Sequence, residues 1–100
     1  MDPELPEFMI ADVVISTTGR DAGKLYYVIE ADSLYLQLVN GKDRSLEKPK
    51  RKKRKHACKV LRSETPLAQR LRAGDKVLNS ELRRDLAYIR QEMQSNAPGG

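Results

Sequence analysis

Residues 12–39 read DVVISTTGRDAGKLYYVIEADSLYLQLV, and the alternation within them decides the fold. Val13, Val14 and Ile15 form a β-branched run, which suits the pleated surface of a strand better than a helix. Thr17, Thr18 and Gly19 then turn the chain, and GRDAG at 19–23 is a tight loop with a glycine at each end. Glycine there permits a positive φ or the close approach of another backbone. A second strand is expected over residues 24–31. Leu25, Tyr27, Ile29 and Ala31 alternate in it with Tyr26, Val28 and Glu30, the period of a strand. Asp32 and Ser33 make a short turn. Leu34, Leu36 and Leu38 then alternate with Tyr35, Gln37 and Val39 in a third strand.

Outward from this stretch the signals thin. Asn40-Gly41 is the strongest two-residue hairpin signal in the chain, and it predicts a short fourth strand over 43–47. A fifth apolar stretch covers 57–61. Strands this closely spaced leave no room for helical crossovers. The expected fold is therefore mainly β: a small five-stranded barrel, closed or nearly so, occupying residues 10–62. The basic residues 48–56 should form a loop projecting from it between the fourth and fifth strands, since Pro49 cannot donate to a central ladder.

Residues 63–94 change character and predict a helical extension. Thr65 is a candidate N-cap with Pro66 in the first turn, and Gly74 a candidate C-cap. Asn79 or Ser80 can cap a second helix, on which Leu82, Leu86, Ile89 and Met93 form a narrow apolar stripe. That stripe fits either the barrel or a partner. Residues 1–9 and 95–100 are expected to be flexible tails, and Pro6-Glu7-Phe8 ahead of Met9 is compatible with an added leader.

One hundred residues suffice for one small core. Tryptophan is absent, so that core must be largely aliphatic. No apolar run approaches the ~20 residues of a membrane helix. A single cysteine, Cys58, excludes an intrachain disulfide and a zinc cluster, and a cytoplasmic location is the default. No phosphate-binding glycine motif occurs, and neither a metal site nor a cofactor is expected. Cys58 and His56 lack an orienting third group, so a thiol catalytic pair is disfavoured and Cys58 should be a small buried hydrophobe.

The net charge is +5, but its distribution is more informative. Residues 1–40 carry two basic and seven acidic side chains, residues 41–62 eleven and two, and residues 63–100 six and five. From 48 to 55 the sequence is KPKRKKRK, seven cations in eight residues. Such a run must be solvated or set beside a polyanion, and phosphate backbones meet that requirement by releasing condensed counterions. A solvated linker, a nuclear-localisation signal or a membrane-surface arm would have similar composition.

The segment ADVVISTTGRDAGKLYYVIEA, followed by LEKPKRKKRKH, resembles the KOW-domain RNA-binding proteins of bacteria. These are related to large-subunit ribosomal proteins of archaeal and eukaryotic type. The resemblance covers roughly residues 10–62. It implies an SH3-like barrel that binds RNA, ribosomal RNA above all, as a translation-associated ribonucleoprotein component. By position, Gly19, Arg20, Asp21, Gly23 and Lys24 form the KOW loop, and Lys48, Pro49, Lys50, Lys52, Lys53, Lys55 and His56 match the basic loop. Ala11 departs from the pattern, since many KOW units carry glycine there.

The candidate RNA-binding residues are thus Gly19, Arg20, Gly23, Lys24, Tyr26, Tyr35, Lys48, Lys50, Arg51, Lys52, Lys53, Arg54, Lys55 and His56. Tyr26 and Tyr35 are the candidate stacking platforms, while Tyr27 shares the Leu25–Ile29 face and should be core. Arg20 could equally pair with a nearby acid, Asp21 could simply cap its turn, and His56 could be an ordinary surface histidine. No catalytic residue is expected, and the chain should act as a monomer. The competing reading is a protein-interaction adaptor that uses the barrel or the C-terminal stripe, with the basic run serving solubility alone.

Overall fold

The computed structural model describes residues 7–95. Five strands form one antiparallel sheet: β1 (Asp12–Ser16), β2 (Leu25–Ala31), β3 (Tyr35–Val39), β4 (Lys50–Lys53) and β5 (Ala57–Arg62), in the order β4-β3-β2-β1-β5. A 3₁₀ turn, Arg54–His56, joins β4 to β5. Helices α1 (Pro66–Ala73) and α2 (Asn79–Ser95) follow. The expected closed barrel is corrected here: the sheet stays open, with β4 and β5 as its two edges. Register shifts between Val13 and Val14 and between Val28 and Glu30 interrupt the ladders, and such bulges bend and twist a sheet.

The sheet is covered on both faces. On one side Val13, Leu25, Tyr27 and Val39 pack with Leu67, Ala68, Leu82, Leu86 and Ile89 of the helices. On the other, Val14, Tyr26, Val28, Leu36 and Leu38 pack with Phe8. Period-2 alternation along β1 and β2 therefore feeds two cores. That corrects the expectation for Tyr26: it is 1% exposed, because the face opposite Tyr27 is also interior. Phe8, expected in a tail, is buried in the second core, and the Met9 amide donates to Asp12 at 2.9 Å. The tail expectations for residues 1–6 and 96–100 fall outside the described residues. Cys58 is exposed rather than buried, as an edge strand allows.

Helix α1 begins and ends where its caps predict, but Asn79 and Ser80 fall inside α2: the Leu78 amide donates to Glu81 Oε1 at 3.0 Å, and the Asn79 side chain bonds Leu46 and Glu47 instead. Thr65 Oγ1 accepts from the Ala68 amide at 3.1 Å, and Gly74 closes α1 at φ 77°. The apolar stripe of α2 settles on its own sheet: Leu82, Leu86 and Ile89 are buried, while Met93 remains exposed. A buried polar cluster fixes this docking. The Tyr27 hydroxyl donates to the Asp85 carboxylate, which also accepts from Thr65 Oγ1 at 2.8 Å, and Ser63 lies 3.0 Å from the same hydroxyl. Burial, then the Asp85 hydrogen bond, push the Tyr27 phenol up to about 12.

The Asn40-Gly41 signal makes a turn, but no strand follows it. Asn40 Oδ1 accepts from the amides of Lys42 and Arg44, both at 2.9 Å, and β4 begins only at Lys50. Gly41 adopts φ 76° directly against the start of α2, where a Cβ would stand 2.1 Å from the Asn79 carbonyl oxygen. Gly41→Ala therefore meets backbone strain and a backbone collision together. It is expected to lower stability by about 3 kcal/mol, read as a fall in the urea midpoint with an unchanged slope.

Candidate nucleic-acid interface

The basic run does not project as a loop, which corrects the expected 48–56 arm. Its centre, Lys50–Lys53, is strand β4, paired to β3 with Leu36 opposite Lys52 and Leu38 opposite Lys50. Strand alternation then divides the cations. Lys50 and Lys52 share the inner face with Leu36 and Leu38, while Arg51 and Lys53 share the outer face with Gln37 and Tyr35. Lys52 is only 8% exposed.

A buried lysine needs a counter-charge, and the glycine loop supplies one. Asp21 Oδ1 accepts from Lys52 Nζ and from Ser16 Oγ, each at 3.1 Å, and Lys50 Nζ lies 3.4 Å from Oδ2. Lys52 also donates to the Thr18 carbonyl at 3.0 Å. Burial by itself would raise the pKa of Asp21. The hydrogen bonds from Lys52, Ser16 and its own backbone, with the charge of Lys50, outweigh it and hold the carboxyl at about 2. Gly19 at φ 81° and Gly23 at φ 89° give the loop the left-handed turns that bring Asp21 inward.

The outer half is built differently. Arg51 stacks on Tyr35, with its guanidinium carbon 3.7 Å from the ring centroid. Among the described residues, Arg51, Lys53 and Lys55 make no ion pair with a carboxylate within 4 Å, whereas Lys50 and Lys52 both reach Asp21. Arg54 donates to the Asp32 carbonyl at 3.1 Å and lies 5.1 Å from the Phe8 ring centroid. Asp32 stands near this rim, held below its ordinary range by the amides of Leu34 and Tyr35. Between the rim and the start of β3 lies a groove of about 540 Å³, floored by Phe8, Leu34, Tyr35 and Ala57 and edged by Lys53, Arg54 and Lys55.

The remaining candidates scatter. Arg20 and Lys48 are exposed, and Lys24 pairs with Asp43 at 2.7 Å. The Gly23 carbonyl accepts from Arg90 at the far end of α2, at 2.9 Å. His56 is half-buried in the 3₁₀ turn, where its carbonyl accepts from the Thr17 amide at 3.0 Å. Tyr26 cannot stack on a ligand: it is interior, with its hydroxyl 3.4 Å from Asp21. Sequence reasoning missed Phe8 and Leu34, which floor the groove, and the pairing of Asp21 with β4. Leu34, expected as the first residue of the third strand on the Leu36–Leu38 face, is 67% exposed at the turn before β3. Among the described residues no cluster of three potential ligands could hold a metal ion. No helix among them is long and apolar enough to cross a membrane.

A scan against protein-family models finds no match for this chain, and a search of curated proteins finds none either.

The Asp21 cluster makes a signed statement about pH. Its carboxyl falls on folding from an ordinary 3.8 to about 2, so its ionised form stabilises the fold above pH 3.8. That contribution is lost as the pH falls through the folded value. Asp21→Asn should cost about 2 kcal/mol at pH 7. The gap to the unsubstituted protein should close as both are denatured at pH values falling toward 2.

Proposed function

We propose that this protein is a non-catalytic RNA-binding module of the KOW kind, whose outward β4 cations lie along the phosphates of structured RNA, with ribosomal RNA the expected class. The observation that carries this reading is the sorting of the basic run. Lys50 and Lys52 are consumed by Asp21 inside the fold, while Arg51, Lys53 and Lys55 gather on one rim beside Tyr35. Cations clustered without matching carboxylates attract polyanions, and aromatic rings and arginine guanidinium planes are both surfaces on which RNA bases stack.

The SH3-like reading draws support from the strand order, in which β1 to β4 are sequential neighbours and β5 returns beside β1. It also draws support from Ala11, which adopts φ 70° where KOW units commonly carry glycine. The adaptor reading loses its helical stripe to the protein's own sheet and keeps only the apolar floor around Leu34.

The test is fluorescence anisotropy on a structured RNA across a salt series. With about four phosphates met, log K should fall against log salt with a slope of about −3. Changing Arg51, Lys53 and Lys55 together to glutamine should flatten that slope and abolish retention while leaving the urea midpoint in place. Lys52→Gln should do the reverse and lower the midpoint. A salt-independent affinity, or retention unaffected by the triple change, would reject the electrostatic reading.

A further inference from the structure

The groove beside the rim has a composition that phosphate contacts alone do not explain. A surface that only tracked a backbone would need cations and polar groups, as Arg51 and Lys53 supply. Here Lys53, Arg54 and Lys55 instead surround an apolar floor. Leu34 stands 67% exposed on that floor, and Phe8 and Tyr35 bring ring surface to it. Its volume of about 540 Å³ falls within the range of about 300–1,000 Å³ typical of small-ligand sites. An occupant that satisfies floor and rim together has a flat apolar part and an anionic part within a few ångströms of each other. A nucleotide has that construction, with the base for the floor and its phosphates for the rim.

A paired helix cannot offer such a part. In A-form RNA the bases are stacked and their faces covered, so an apolar slot meets a base only where it has left the stack. Tyr35 is prepared for this role, because Arg51 lies over the ring at 3.7 Å and restrains it. Asp32 fixes the approach to the groove by accepting from the Leu34 and Tyr35 amides at 2.8 and 2.7 Å, which holds the turn that presents both side chains.

We infer that the groove of Phe8, Leu34 and Tyr35 is a pocket for a single unpaired RNA base, with the flanking phosphates on Lys53 and Lys55. The inference rests on the RNA-binding reading and narrows it: the target presents a bulged or looped nucleotide. Base identity matters little, because stacking tolerates every base.

The experiment compares the full chain on two RNAs, a short perfect duplex and the same duplex with one bulged nucleotide, the bulge being 2-aminopurine in a parallel sample. The bulged RNA should bind about tenfold tighter, the scale of one base stacked on an aromatic side chain, and the 2-aminopurine emission should change on binding. Leu34→Ser leaves the fold intact because the side chain is exposed, and it adds no charge beside the cationic rim. It should remove the tenfold preference and the emission change while duplex binding keeps its salt slope. Tyr35→Ala should do the same, and Tyr35→Phe should restore the preference. Equal affinity for the two RNAs, with the slope intact, would overturn the base pocket and leave RNA binding standing. Failure to bind either RNA would overturn both. A short acidic peptide with apolar side chains that competes with the bulge at Leu34, and binds more tightly than it, would assign the groove to a protein partner and overturn the inference.

Discussion

One carboxylate reconciles a strand of lysines and arginines with a folded interior. Asp21 stands where the β1–β2 loop turns inward, and it meets Lys50 and Lys52 from the far edge of the sheet. Without it the inner face of β4 would set two ammonium groups against Leu36 and Leu38, a desolvation that no apolar neighbour can offset. With it, the β1–β2 loop and β4 are tied through side chains although no backbone ladder joins β1 to β4. The curl of the sheet is thus held partly by charge. The register of β4 against β3 leaves Arg51 and Lys53 on the opposite side of the strand.

Much of this was legible in residues 12–39 and 63–94. Strands β1, β2, β3 and β5 announce themselves by alternation and β-branching, α1 by its caps, and α2 by the spacing of Leu82, Leu86 and Ile89. Strand β4 was not legible, because alternation is read from apolar residues and KRKK contains none. Its inward positions are marked only by an acid about thirty residues upstream, in a loop whose local chemistry reads as a turn. The Asn40-Gly41 signal then drew the fourth strand too early. Tyr26 was misplaced for a related reason: one strand's pattern shows that two faces exist, and a sheet covered on both sides makes both of them interior.

The site divides along the same line. Composition located the basic run, and the resemblance located the glycine loop. Neither indicated that the loop anchors the strand from within rather than lying beside it as a second cationic wall. Phe8 and Leu34 escaped notice because each was assigned from its immediate neighbours, one to a tail and the other to a strand. What brings them together is the 3₁₀ turn, which returns the chain past the start of β3, where the Arg54 amide donates to the Leu34 carbonyl at 2.9 Å.

The position of β4 at the margin of an open sheet has a further consequence. Exposed strand margins invite another chain to add itself, the first step toward swapped assemblies and fibrils. A second copy adding to this margin would bring KRKK against KRKK, and the outward Arg51 and Lys53 of the two copies would oppose each other along the new ladder. A strand so rich in outward cations is a poor template for its own kind, so this margin of the open sheet carries its own protection against self-templating.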